Sequence, residues 1–509
     1  ALMDAIATHL PSSVVAQKYR MEALYAGPID DECALAISLC DKDGPLMLYV
    51  ANLAPSTHEE NRFYAFGRVF SGTLVAGQQV RILGPDDRPG QKGVIKVKDI
   101  ERLLVAGHGR LEETDAVSAG NLVYLAGHFL VDSSTITSSP TAHPFKPIRK
   151  PLPVVHQSIQ PNNPADLPKV IEALRKMSRT HLDGGAAMDE RTGELVVSGM
   201  SERHLEMLLG PLARDLAAVG VGFARSSVPA ISLRETVVAR SSQTCMAKSP
   251  NKHTRLWMTA EPLPAGLADA IESGSFNTSA DRAALSSQLH TWEVLDARRI
   301  WCWGPDGRGP NAMSEEFKYP LQYVGEIRGL VEQTFQWGTR EGALCEEPLR
   351  GVRFKLVDFV LTTDAIHRGA GQLIPAGRRV LRAAQLDSRP RLMEPVYLVE
   401  THARQSDIDV VTTIIAERRG QVMLSSACDG GGMCRVKAYL PVVESFGFAS
   451  ALRQATGRPA GECVFDHWQM VEGDPLQAHS TAAELMLAVR RRKGLKEEIP
   501  SLDTYLDRL

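Results

Sequence analysis

Apolar residues in the first third of the chain come in short runs, cut by Gly, Pro and Asp. A short helix-like start, Ala1-Leu-Met-Asp-Ala-Ile-Ala-Thr-His-Leu10, leads into an extended stretch to Asp31. Residues 32–155 then carry strand-like runs such as Leu46–Val50, Ala65–Phe70 and Gln79–Leu83. Short strands at that spacing predict an antiparallel β-barrel. The run Pro144-Phe-Lys-Pro-Ile-Arg-Lys-Pro-Leu-Pro153 reads as a linker.

Two later stretches share one pattern. In the first, strand Val154–Ile159, helix Pro164–Met177, strand Glu194–Ser198, helix Glu202–Leu216 and strand Val219–Ala224 follow in order. In the second, strand Val396–His402 and helix Asp407–Arg418 precede strands Gly420–Leu424 and Cys434–Leu440, then helix Val443–Thr456 and strand Cys463–Val471. Each reads as a split βαβ (ferredoxin-like) unit, with helices on one face of a four-stranded sheet. The copies at 156–227 and 394–472 bracket a mixed α/β region, 228–390, and the tail from Leu476 carries a helix over Ala482–Lys493. The predicted fold class is multidomain α+β: an antiparallel β-barrel, then two split-βαβ domains flanking a mixed α/β arm.

Composition narrows the function classes. At 509 residues and 55.6 kDa the chain is too long for a single core. A formal net charge of −3 supplies no overall field for nucleic acid, so any RNA contact must come from local basic patches. Eight cysteines stand at 33, 40, 245, 302, 345, 428, 434 and 463, none in a Cys-x-x-Cys pair. Scattered thiols of this kind suit a reducing, cytoplasmic setting. The chain holds no run of eighteen apolar residues and no signal peptide, so no membrane partner is expected. It opens without Met inside a helix-like segment, which points to a piece of a longer polypeptide.

One segment stands out. Asp364-Ala-Ile366-His367-Arg368-Gly369-Ala-Gly371-Gln372 follows the apolar run Phe354–Leu361. Glycines at that density turn a backbone tightly and push a side chain outward, so a strand feeds an exposed tip carrying His367. A second basic turn, Ser249-Pro250-Asn251-Lys252-His253, precedes the strand-like Thr254–Met258. Alone it reads as a solvated hairpin end. Two basic tips projecting the same way would form one phosphate-seeking surface.

Catalysis finds little support. No Gly-x-x-x-x-Gly-Lys-[Ser/Thr] loop and no Gly-Lys dipeptide occur, so backbone amides and a lysine cannot cradle phosphates in the usual way. Asn251-Lys252-His253-Thr254 resembles the start of a guanine-reading motif but ends in Thr, which lacks the needed carboxylate. His367 has no nucleophile motif nearby and no further metal ligand in its own loop, which favours contact over catalysis. Trp301-Cys-Trp303 and Phe335-Gln-Trp337 are assigned mainly to the core of the 228–390 region, and Arg490–Lys493 to the solvated face of a helix.

Several blocks carry a resemblance along the whole chain. They include Ala16-Gln-Lys-Tyr-Arg20, Phe63-Tyr-Ala-Phe-Gly-Arg68, Lys248-Ser-Pro-Asn-Lys-His253, Asp364-Ala-Ile-His-Arg-Gly369, Glu444-Ser-Phe-Gly-Phe448 and Val464-Phe-Asp-His-Trp468. In these the chain resembles eukaryotic elongation factor 2, the ribosomal translocase. The resemblance implies that 1–24 is a linker or helix from a missing GTPase domain, and that 25–155 is the β-barrel domain. By the same resemblance 156–227 is the first split βαβ domain, 228–390 the projecting arm, 391–475 the second split βαβ domain, and 476–509 a tail packing on the arm. GTP and Mg2+ are implied for the missing domain only, where the full-length protein would be a GTPase. His367 is the implied diphthamide site and target of ADP-ribosylating toxins. Ser249, Pro250, Asn251, Lys252, His253, Asp364, Ile366, His367, Arg368 and Gly369 form the implied tRNA- and mRNA-contacting tip. Implied partners are the 80S ribosome through its rRNA and stalk proteins, tRNA, mRNA and the diphthamide biosynthesis enzymes.

The chain departs from the family at Ser201-Glu-Arg203-His204, where Arg203 is expected to alter helix packing, at Thr362-Thr363, and across Arg404–Asp409 and Ser425–Met433. A spliceosomal U5 GTPase paralogue, a splicing scaffold with the same body, is the rival, on Phe335-Gln-Trp-Gly-Thr-Arg-Glu-Gly342 and Pro390-Arg-Leu-Met-Glu-Pro395. Both tip loops follow the translocase pattern instead.

Overall fold

The computed structural model describes residues 2–55, 63–84, 87, 96–107, 109–127, 133–148, 152–181, 184–188, 193–226, 229–278, 282–289, 292, 296–319, 322–362, 369–427, 432–458 and 461–507. It is a multidomain α+β structure whose contacts fall into two units, Ala1–Ala230 and Ile231–Leu509.

In the first unit an eight-stranded antiparallel sheet runs in the order 96–99, 79–83, 135–137, 47–55, 63–71, 122–126, 102–107, 110–114. It curls around Leu48, Val50, Val69, Val80, Leu103 and Val123. Successive residues of a strand face opposite ways. Leu48 and Val50 therefore enter that core, while Met47 and Tyr49 turn to the other face.

That other face is covered by helices the sequence reading missed. The stretch before Asp31 is not extended, and 32–39 is not strand. Helix Ser13–Leu24 starts on Ser12, whose side chain accepts from Val15 N–H, and Glu32–Leu39 starts on Asp31, which accepts from Ala34 N–H. Such caps satisfy a backbone donor that a helix start leaves free. Met21, Cys33, Ala34 and Ile37 then pack against Met47, Tyr49, Phe70 and Phe145.

The unit ends in a split βαβ sheet. Its strands lie in the order Gly185–Met188, Leu195–Gly199, Val155–Pro161, Phe223–Arg225, all antiparallel, with Ala230–Ile231 also on Val155–Pro161. Helix Leu167–Thr180 buries Val170, Leu174 and Met177, spaced three and four apart on one stripe. Helix Glu202–Ala218 buries Leu205, Leu208, Leu209, Leu212 and Leu216. Arg203 is exposed on that helix, so its charge meets water and leaves the packing intact.

In the second unit the chain builds a five-stranded sheet in the order Cys245–Lys248, Arg255–Pro262, Val352–Val360, Asn311–Glu315, Ile300–Gly304. Helices Val324–Arg340 and Ala370–Asp387 lie against it over a core of Leu256, Met258, Phe335, Phe354, Val380 and Leu381. Trp301 is buried in that core and Trp303 in a neighbouring cluster with Phe276 and Leu289, as expected. Trp337 is not: it is 41% exposed, and the Arg378 guanidinium sits 3.2 Å above its ring.

A second split βαβ sheet follows, ordered Gln421–Ala427, Met433–Pro441, Pro390–Arg404, Glu462–Met470. Its long first strand also takes Arg234–Val237 at its beginning, with Arg234 opposite Met393 and Val237 opposite Pro390. Only Ser388 and Arg389 separate the helix ending at Asp387 from this strand. Ser388 is fully buried, donating to Ala384 O at 2.6 Å.

Helix Thr481–Arg492 packs Ala482, Met486 and Val489 against Leu233, Leu344 and Leu392. Its basic end is a solvated face only in part: Arg491 and Arg492 are exposed, whereas Arg490 and Lys493 turn inward. Arg490 is 5% exposed and donates to the carbonyls of Leu344, Lys496 and Glu498. Lys493 Nζ donates to Cys345 O and Glu346 O and pairs with Glu347 at 2.8 Å. Arg490 and Lys493 read as solvated because the sequence does not show the carbonyls waiting beside them.

Candidate nucleic-acid interface

The turn at 249–253 is built by its own short side chains. Ser249 N–H donates to Thr254 O at 2.8 Å, closing the hairpin between Cys245–Lys248 and Arg255–Pro262. Within the turn Lys252 N–H donates to Ser249 O at 2.8 Å, and His253 N–H to Asn251 Oδ1 at 3.1 Å. Ser249 Oγ accepts from Thr254 N–H at 3.0 Å and donates to Asn251 Oδ1. Ser and Asn capture backbone donors in this way because their polar atoms lie one or two bonds from the chain. Ser249 and Thr254 are buried as a result, whereas Pro250, Lys252 and His253 are exposed. Lys252 has φ 61°, a left-handed conformation that costs an ordinary residue about 1–2 kcal/mol. The turn's hydrogen bonds hold it there.

The sheet register brings the strand that leads into the second loop to the same end of the sheet. Arg255 pairs with Val360, so the chain leaves Val352–Val360 at the end of the sheet where the turn sits. Asp364, Ile366, His367 and Arg368 lie outside the described residues. The far flank is described again from Gly369, the exposed N-cap of helix Ala370–Asp387. One turn inside that helix, Gln372 Oε1 accepts from Asn251 N–H at 3.0 Å. Thus the turn 249–253 and the flank of the 364–369 loop are hydrogen-bonded neighbours.

Seven residues beyond Gln372, on the same helix face, Arg379 makes a two-pronged pair with Asp507, at 2.9 and 3.1 Å. Asp507 Oδ2 also accepts from Lys248 N–H at 2.7 Å. Partial burial pushes this carboxyl up, but the hydrogen bonds from Arg379 and Lys248 N–H outweigh it and hold the group below its ordinary value. The acid is therefore ionised and engaged at neutral pH. Lys252, by contrast, is exposed and enters no ion pair among the described residues.

Chemically the arrangement offers cationic and hydrogen-bonding contacts. Among the described residues no group of three or more His, Cys, Asp or Glu could hold a metal, and no helix is long and apolar enough to cross a membrane. Gln372, Arg379 and Asp507 escaped the sequence reading. Gln372 and Arg379 had a signal in their helical spacing. Asp507 had none, since its partner strand lies 259 residues away.

Three family models match the chain. "Elongation Factor G, domain III" matches residues 150–220, "Elongation factor G, domain IV" residues 272–389, and "Elongation factor G C-terminus" residues 391–479. Between them they cover more than half of the sequence. The domain IV match includes the 364–369 loop and Gln372, and the turn at 249–253 lies before its start.

Proposed function

This chain belongs to the elongation factor G and elongation factor 2 family of translation elongation factors, and we propose that it is the tRNA- and ribosome-contacting portion of a eukaryotic-type translocase. On this reading the full protein moves tRNA and mRNA from the A to the P site in the cytoplasm, and a preceding GTPase domain binds GTP and Mg2+. Domains 25–155, 156–227, 228–390 and 391–475 supply the body, and the tip of the arm enters the decoding region.

The observation that carries the reading is the Asn251–Gln372 hydrogen bond, which supports one composite tip made of both loops. The tip contacts are Ser249, Pro250, Asn251, Lys252, His253, Asp364, Ile366, His367, Arg368 and Gly369. His367 is the diphthamide site, where modification places a fixed cation among backbone phosphates. Paired RNA is met through phosphates, ribose hydroxyls and shape, so exposed cations on a stiff support suffice. The arm then converts switching elsewhere in the protein into displacement of its cargo as a rigid body.

The test is a translocation assay on the full-length protein, read by the position of the ribosome on mRNA. Lys252→Ala and His367→Ala should each slow the step about tenfold, the effect of ~1.4 kcal/mol of lost contact. Peptide mass mapping of native protein should find diphthamide at His367. An unmodified histidine in cells that make diphthamide, with full activity in both variants, would favour the spliceosomal scaffold.

A further inference from the structure

We propose that Asp507, two residues before the last of this sequence, is a positioning residue for the tip: the C-terminal tail clamps the hairpin that carries the turn 249–253. The inference rests on the translocase reading for its functional consequence, but its structural half stands alone.

Cys245–Lys248 is the edge strand of the five-stranded sheet. Alternate residues of an edge strand point their N–H and C=O groups away from the sheet, where they lack a neighbouring strand. Here Met246 and Lys248 are those residues, because Ser249, next in the alternation, bonds inward to Thr254. The tail meets both. Asp507 N–H donates to Met246 O at 2.9 Å, and its side chain accepts from Lys248 N–H at 2.7 Å. One residue of tail thus stands in for a missing strand, immediately before the turn.

The same carboxylate is anchored from behind by Arg379, while Leu502, Tyr505 and Leu506 pack on the core beneath. Arg379 shares a helix with Gln372, which holds the turn itself. Hairpin base and hairpin tip are therefore fixed to one helix, the base through Asp507 and the tip through Gln372. A planar guanidinium paired to both carboxylate oxygens sets orientation as well as distance. Losing it would free the edge strand without opening the core, since the three apolar anchors remain.

The test compares wild type, Asp507→Asn and Asp507→Glu in the full-length protein by amide hydrogen exchange and by translocation rate. Asp507→Asn should raise exchange across 245–254 by about tenfold, a loss of ~1.4 kcal/mol in local opening, with exchange in the second split βαβ sheet unchanged. Its translocation rate should fall while ribosome-stimulated GTP hydrolysis persists, and Asp507→Glu should recover part of both. Unchanged exchange at 245–254 would overturn the clamp whatever the translocation result. Raised exchange with an undiminished translocation rate would overturn its positioning role. A wild-type protein that does not translocate would instead remove the functional premise, leaving the exchange comparison to judge the clamp.

Discussion

Asn251 and Gln372, 121 residues apart in sequence, are joined by a hydrogen bond of 3.0 Å from the backbone of one to the side chain of the other. The bond ties a hairpin turn to the first turn of a helix, at the end of a sheet whose register already brings them together. Gln372→Ala removes the acceptor and leaves the sheet untouched. One such bond contributes about 1 kcal/mol, or roughly fivefold in local opening. Trypsin should therefore cut after Lys252 about fivefold faster in the variant, with the overall melting temperature little changed.

Glu235 is fully buried on strand Arg234–Val237, and its carboxylate accepts from the N–H groups of Leu344, Cys345 and Glu347 and from Gln385 Nε2. Burial pushes the carboxyl up while these four donors pull it down. Glu235→Gln turns an amide N–H2 toward groups that are themselves donors. Expected destabilisation is about 3 kcal/mol, measured by urea denaturation of the full chain. Gly342→Ala should cost a similar amount, because a Cβ there would collide with the Glu235 carboxylate that these donors hold in place.

Arg490 fastens the last long helix to the carbonyls of Leu344, Lys496 and Glu498. Arg490→Ala leaves these acceptors without a donor and is expected to cost about 3 kcal/mol by the same denaturation. Arg490→Lys should rescue little, because a compact ammonium cannot serve three carbonyls arranged around a planar fork. Recovery to wild-type stability in the lysine variant would mean that charge alone matters at this site.

Burial raises the thiols of Cys245 and Cys302 to about 12 and that of Cys463 to about 11. A raised thiol pKa keeps the protonated, unreactive form dominant up to that value, so reactivity appears only as pH approaches it. Native protein at pH 8 should therefore label slowly at these three positions, and denatured protein quickly. Mass spectrometry after timed alkylation reads the difference residue by residue.

Much of this architecture was legible from local pattern. The helices 167–180 and 202–218 bury residues three and four apart, and the strand Val352–Val360 leading to the second loop sits where its apolar run lay. What escaped depended on partners distant in sequence or on single caps. Glu32–Leu39 looked like another strand because its apolar residues run together. Its fate was decided by one hydrogen bond to Asp31 and by a hydrophobic face waiting on Met47 and Tyr49. Gly185–Met188 went unnoticed because one glycine, two alanines and a methionine carry almost no strand signal. The tip turn could be marked as basic from its residues, but its tie to Gln372 belongs to tertiary structure.

The junction at Ser388 and Arg389 joins the helix behind the tip to the fifteen-residue strand Pro390–Arg404 with almost no intervening chain. Ser388 is buried there and bonded to the helix it ends. A load taken at the helix's start therefore passes into the following sheet with scarcely any slack to absorb it, like torque carried through a keyed shaft.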